Sequence, residues 1–203
     1  MKIVFATGNE GKVREVREML DGMEIELVSL SDYTNVPEIV EDGKSFLENA
    51  LKKAKIISQF TGETVLADDS GLQVDALGGE PGIYSSRYAG EKATDEENNA
   101  KLLAKLKNIP QEKRTAFFSC FLVLYRKDGS YDYFEGKWYG QIIDEPRGNN
   151  GFGYDPVFFV PELKKTAAEL PAEIKNKVSH RGHAFAQFKK ALAEKLKNKK
   201  VGA

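Results

Sequence analysis

Cysteine is nearly absent from this sequence: Cys120 is the one example in 203 residues. An internal disulfide is therefore excluded. With only His180 and His183 beside it, a Cys-rich structural zinc site is excluded too. Cys120 lies inside an apolar run, which suits a buried thiol in a reducing, cytoplasmic setting. Charge of one sign is also lacking. The chain sets 30 Lys+Arg against 31 Asp+Glu, a formal net charge of −1, so no nucleic-acid polymer is held by net charge, although a local cationic pocket stays open. No run approaches the ~20 apolar residues of a membrane span, and Ile3-Val4-Phe5-Ala6 is too short for a signal-peptide core. The expectation is a soluble cytoplasmic protein without a membrane partner.

What is present suits a globular fold. Hydrophobic residues make up 41% and charged residues 30%, and a chain of this length forms one domain over residues 1–203, burying roughly 70% of its unfolded surface. Lys2 to Ala6 reads as a short strand. The loop Thr7-Gly8-Asn9-Glu10-Gly11-Lys12 follows, then a helix with Val13, Val16 and Leu20 at helical spacing, ended by Gly22. A second strand covers about Glu24 to Ser29, and Tyr33 to Gly43 reads as an acidic surface loop. Ser45-Phe46-Leu47-Glu48 has the form of a capping box, and Gly62 stops the helix it opens.

Thr64 to Ala67 predicts a strand running into Asp68-Asp69-Ser70-Gly71, with extended chain resuming over Leu72 to Leu77. Thr94-Asp95-Glu96-Glu97 opens another capped helix, closed before Pro110. Thr115 to Tyr125 is apolar on both alternating sets, as a strand covered on both faces would be. Asp128-Gly129 turns the chain into a strand over Tyr131 to Ile143, and Pro146 to Pro156 is a loop. About His183 to Lys200 forms a helix with Phe185, Phe188, Leu192 and Leu196 inward and six lysines (189, 190, 195, 197, 199, 200) on a solvated face. The whole is one α/β unit with a mixed sheet.

Four constellations can carry chemistry, each with a plainer alternative. The Thr7–Lys12 loop offers helix N-terminal amides and an ammonium to an anion, or is a simple strand-to-helix turn. It is not a Walker A loop, because Gly8 and Gly11-Lys12 are too close. Asp68 and Asp69 stand at the end of an apolar strand, where ligands sit in open α/β sheets; with an acid from Glu38–Asp42 they suit Mg²⁺ shared with phosphates. Asp68-Asp69-Ser70-Gly71 also suits an ordinary turn. Phe152, between Gly151 and Gly153, is a stacking surface for a base or a plug over the core. Lys175 and Ser179-His180-Arg181 offer cations and an imidazole, or a helix cap with solvated charges.

Taken together the four form a nucleotide inventory. In order along the chain occur Thr7-Gly8-Asn9-x-x-Lys12, Phe46-x-Glu48-Asn49-Ala50, Ala67-Asp68-Asp69-Ser70-Gly71-Leu72, Gly78-Gly79-x-Pro81-Gly82-x-Tyr84-Ser85, Phe152-Gly153-Tyr154-Asp155-Pro156 and Ser179-His180-Arg181. From residue 2 to about residue 192 the chain resembles the inosine-triphosphate pyrophosphatase family, and its bacterial members most. The resemblance implies an elongated two-lobed α/β fold around a long mixed sheet flanked by helices, and a homodimer. It implies Mg²⁺-dependent hydrolysis of ITP, dITP and XTP to monophosphate and pyrophosphate. It also implies Asp69 as general base and metal ligand, with Glu41 as the second metal carboxylate and Glu38 its rival. Thr7, Gly8, Asn9, Glu10, Gly11, Lys12, Lys53 and Ser70 would hold the phosphates. Phe152, Gly153, Tyr154, Asp155, Lys175, His180 and Arg181 would hold the base. A related pyrophosphatase of pyrimidine triphosphates and a non-hydrolysing nucleotide sensor are the rivals.

Overall fold

Three strands dominate the architecture because their pairing is long and almost uninterrupted. In the computed structural model, which describes residues 1–201 with side chains through Glu194, β3 (Val65–Val74), β4 (Thr115–Tyr125) and β5 (Tyr131–Ile142) form an antiparallel meander. The register runs from Val65↔Tyr125 to Val74↔Ala116 on one side of β4, and from Thr115↔Gln141 to Tyr125↔Tyr131 on the other. At about 3.3 Å per residue such strands exceed 30 Å, longer than one compact core needs. Apolar side chains accordingly gather at both ends of the meander.

At one end, β1 (Lys2–Phe5) and β2 (Glu26–Ser29) add parallel strands, and β6 (Phe158–Val160) and β7 (Lys165–Thr166) extend the other edge. The complete order is β2-β1-β3-β4-β5-β6-β7. Helix α1 (Glu10–Leu20) and α5 (His180–Val201) cover one face through Val13, Val16, Phe185 and Phe188 against Phe5, Leu66 and Leu122. Helix α2 (Phe46–Thr61) covers the opposite face through Ala50, Ala54 and Ile57 against Val4, Val65 and Val123. The far end of the meander packs Leu72, Phe118, Trp138 and Ile142 against Phe158 and against Leu102 and Leu106 of α3 (Asp95–Leu106). The expected mixed sheet flanked by helices is thus present, with separate cores along its length. Among the described residues no helix is long and apolar enough to cross a membrane.

Several local expectations change. Asp68-Asp69-Ser70-Gly71 is no turn: it lies in mid-β3, because β4 pairs with every residue of the segment. Pairing of β3 to β1 does stop at Leu66, so a cleft opens beyond β1 just where the two aspartates begin. Extended chain ends at Val74, and Asp75–Leu77 is a 3₁₀ turn. The Ser45 hydroxyl caps α2, but the Glu48 carboxylate reaches past it to the Lys44 amide, so the reciprocal box is displaced by one residue. The second strand starts at Glu26, two residues later than expected.

The last helix starts at His180, not His183, and is preceded by α4 (Ala172–Val178). The α5 N-terminus lies directly on β5, where a Cβ at Gly136 would stand 2.0 Å from the His180 carbonyl oxygen. The inward placement of Leu196 and the exposure of Lys195, Lys197, Lys199 and Lys200 concern side chains outside the described residues.

Candidate active site

A cavity of about 340 Å³ opens where β1 ends, between the two groups of cores. Its walls come from the Thr7–Lys12 loop, α2, the middle of β3, the Gly82–Arg87 3₁₀ turn, the Phe152 loop and the α4–α5 junction. Alternation along β3 divides the two aspartates. Asp68 turns toward α1 and α5, and Asp69 toward α2.

On the α2 side, Lys53 sits between two acids, its Nζ 2.7 Å from Glu41 Oε1 and 3.3 Å from Asp69 Oδ1. Asn49 Nδ2 donates to Asp69 Oδ2 at 3.1 Å, and Asn49 Oδ1 accepts from the Gly43 amide at 2.8 Å. One helix therefore fixes the carboxylate and tethers the acidic loop. Burial lowers the Lys53 ammonium, but Asp69 and Glu41 outweigh it and hold it protonated above its ordinary value. Burial raises the Asp69 carboxyl above its ordinary range; Lys53 and Lys12 pull it down without cancelling that rise, and Glu41 adds to it.

This half of the site suits a hard cation. Two carboxylates already converge on one positive group, and the raised Asp69 would be eased into its ionised form by added positive charge. Among the described residues no cluster of three or more His, Cys, Asp or Glu could hold a metal alone, so a cation bound here would need phosphate oxygens or water to complete its shell. Glu38 is exposed and outside the cavity wall, whereas Glu41 is in it.

On the α1–α5 side the charges form an alternating chain. Lys12 Nζ is 3.0 Å from Asp68 Oδ1. Arg181 gives Nε and Nη2 to Asp68 Oδ2 at 3.2 and 2.8 Å, and Nη1 to Glu15 Oε2 at 2.5 Å. Glu15 Oε1 takes Lys175 Nζ at 2.8 Å, and Lys175 also pairs with Asp155, whose carboxylate accepts from the Phe152 amide at 2.9 Å. Burial raises Asp68, yet Lys12 and Arg181 outweigh it and hold its carboxyl well below the usual range. The Phe152 ring lies 4.9 Å from Lys175 Nζ and 5.7 Å from Arg181 Cζ, with Gly11 beneath its edge. A Cβ on Gly11 would meet that ring at 2.6 Å, so the Thr7–Lys12 loop and the Phe152 loop touch through a glycine.

His180 stacks on Phe118 at 4.7 Å and 12°, and its Nδ1 has no partner among the described residues. Burial, then Arg181 and Lys175, push its pKa well below 6.5, so the ring is neutral.

The cavity wall thus gathers Thr7, Gly8, Asn9, Lys12, Glu41, Lys53, Asp69, Ser70, Phe152, Gly153, Tyr154, Asp155, Lys175, His180 and Arg181, as expected for a nucleotide site. Glu10 and Gly11 fall outside it; Glu10 faces Ser31 Oγ at 3.4 Å, and Gly11 supports Phe152. Ser179 caps α5 through the Gly182 amide, as its plainer alternative held, but Lys175 and Arg181 are buried rather than solvated. Glu15, Asn49, Asp95, Ser85 and Asn99 were not anticipated as site residues. Asn49 follows Glu48 in a recurrent motif and could have been flagged. Glu15 looked like any exposed helix acid.

The fold and the cavity together define a nucleotide-hydrolysing α/β enzyme: two oxygen donors and two ammonium groups at one end, an aromatic ring and buried cations at the other. Residues 3–191 match the profile of the Ham1 family, and the chain belongs to that family. It is 55% identical to the dITP/XTP pyrophosphatase of Geobacter sulfurreducens over 94% of this chain and 96% of that one. It is 51% identical to the dITP/XTP pyrophosphatase of Vibrio parahaemolyticus, over 95% and 99%. A solved HAM1 protein from Coxiella burnetii superposes with a TM-score of 0.86 at 43% identity, covering 96% of this chain and 99% of that one.

Proposed function

We propose that this enzyme hydrolyses ITP, dITP and XTP at the α–β phosphoanhydride, releasing the nucleoside monophosphate and pyrophosphate and clearing these non-standard purines from the nucleotide pool. The observation that carries the reading is the division of one cavity into a cationic, carboxylate-bearing end and an aromatic, hydrogen-bonding end. Relatives named dITP/XTP pyrophosphatase at about half identity support the substrate class. Mg²⁺ held by Glu41 and Asp69 would supply charge neutralisation of the triphosphate and a more acidic water. Residence in the cytoplasm and assembly as a homodimer are part of the same proposal.

The residues divide the work. A triphosphate carries about four negative charges, which repel an attacking water. Lys12 and Lys53 offset that charge and stabilise the departing pyrophosphate, while the loop amides after Thr7 bind phosphate oxygens. Asp69, oriented by Asn49, positions the water and accepts its proton.

Base selection rests on polarity at C6. A keto oxygen there accepts from His180 or Arg181, whereas adenine presents a donor. Neutral His180 keeps one ring N–H to give. The four hydrogen bonds of Arg181 to Asp68, Glu15 and Ser70 leave one Nη1 N–H over. A donor facing a donor leaves buried groups unpaired, at about 1–3 kcal/mol each. Phe152 supplies the stacking face. Pyrophosphate release from dITP, XTP, ATP, GTP, dUTP and dTTP, with and without Mg²⁺, tests the assignment. Equal turnover of ATP, or preference for a pyrimidine, would remove the purine-keto reading.

A further inference from the structure

Phe152 is flanked by Gly151 at φ +74° and Gly153 at φ +63°, backbone conformations that side-chain-bearing residues avoid. Two such glycines give the ring great freedom, yet a stacking platform must be fixed in place. Part of what fixes it comes from α3, which otherwise belongs to the far core through Leu102 and Leu106. Asp95 is the first residue of that helix, but the cap is made by Thr94 and Glu97, so its carboxylate is free to act elsewhere. It accepts from the Gly153 amide at 2.6 Å. One turn on, buried Asn99 donates Nδ2 to the Gly153 carbonyl at 2.9 Å. Both polar groups of Gly153 are therefore held by one rigid helix, and Asp95 also lines the cavity wall. Phe152 itself is held by Asp155, whose carboxylate accepts from the Phe152 amide at 2.9 Å and whose amide donates to the Phe152 carbonyl at 3.3 Å.

We propose that Asp95 and Asn99 are positioning residues for base recognition: they clamp the Gly153 backbone on both sides of its Cα and so hold the Phe152 ring where a purine stacks. This rests on the nucleotide reading above. The clamp acts on the base end alone, since α3 contributes no contact to Lys12, Lys53, Glu41 or Asp69 among the described hydrogen bonds and ion pairs. Both side chains also act through one residue, so their effects are not independent.

The test compares wild type, Asp95→Ala, Asp95→Asn and Asn99→Ala by calorimetric titration with IMP and, separately, with inorganic pyrophosphate, alongside dITP turnover at saturating Mg²⁺. Loss of the charged acceptor should weaken IMP and raise KM for dITP about tenfold, with kcat within about twofold and pyrophosphate affinity unchanged. Asp95→Asn, which keeps an acceptor oxygen, should recover part of the loss. The double Ala variant should be little worse than the weaker single variant. Unchanged IMP affinity in Asp95→Ala overturns the clamp, and so does a parallel loss of pyrophosphate binding, which would mark a general structural role. A wild type that binds IMP but releases no pyrophosphate from any triphosphate defeats the hydrolase reading instead, and the IMP titrations still judge the clamp.

Discussion

Arg181 is the most consequential buried cation in the protein, and replacing it with Met separates its electrostatic role from its volume. The side chain is 1% exposed and the carboxylate it chiefly serves, Asp68, is fully buried. Met fills much of the space but leaves Asp68 with Lys12, and Glu15 with Lys175. Stranding one member of a buried pair costs about 3–5 kcal/mol. The surviving partners place the expected loss near the lower figure, about 3 kcal/mol, against a total of about 5–15 kcal/mol for a domain. The variant should still fold, with a clearly lower urea midpoint.

The dependence on pH identifies the cause. In the wild type Asp68 is held below its unfolded value, so it stabilises the fold above about pH 3.9 and that contribution is lost only in strong acid. In Arg181→Met burial is opposed by Lys12 and Lys53 without Arg181, and the folded value rises. The cost should then be greatest at neutral pH and shrink as acid protonates the carboxyl. Urea unfolding from pH 7.5 down to about pH 3 measures this directly, and Asp68→Asn combined with Arg181→Met should recover at least about 1 kcal/mol relative to additivity. A loss below about 1 kcal/mol at neutral pH, or one indifferent to pH, would refute the claim that the ion chain is an electrostatic unit.

Other outcomes follow from the same geometry. Asp69→Asn keeps the size of the side chain but not its charge or basicity, and should reduce turnover about a thousandfold with the melting curve nearly unchanged; near-normal kcat at saturating Mg²⁺ would remove Asp69 from the mechanism. Because burial raises Asp69 in the free enzyme, the acid limb of kcat/KM should lie above the ordinary carboxylate value and move to lower pH as Mg²⁺ is increased, and a limb fixed across Mg²⁺ concentrations would contradict shared ligation. Gly11→Ala should displace the Phe152 ring and raise KM for every purine similarly, so an effect confined to phosphate affinity would count against that contact. His180 should stay neutral from pH 8 to pH 5.5 in nitrogen-detected spectra of its ring, and titration near 6.5 would show it to be more hydrated than its packing indicates.

The sheet and most helices were legible because hydrophobic period and caps are local properties. Val13, Val16 and Leu20 mark α1, and Thr94 with Glu97 marks the start of α3. What escaped was set by distant partners. Asp68-Asp69-Ser70-Gly71 carries turn-forming residues, yet unbroken pairing to β4 overrides that local preference. Gly136 inside a strand pattern was a readable sign of close backbone approach, and it marks where α5 begins. Most of the cavity-wall residues that lie in the quoted motifs were picked out from the sequence, but Glu15 was not. Its importance comes from lying between Lys175 and Arg181, some 160 residues away in the chain, which no local pattern records.

One strand explains why two adjacent, chemically identical acids do different jobs. Asp68 and Asp69 differ only in which face of β3 they leave. Asp68 enters the chain of charges that ends at Phe152, and Lys12 and Arg181 keep it ionised and fully committed. Asp69 enters a site with Lys53, Asn49 and Glu41, where burial raises it and leaves its oxygens responsive to an added cation or proton. The environments push the pair apart, the same logic by which paired carboxylates elsewhere divide structural and proton-accepting roles. A slip of one residue between β3 and β4 would exchange the two faces and break both arrangements at once. The length of that pairing, ten residues beside a strand of eleven, therefore fixes the geometry of the cavity as well as the fold.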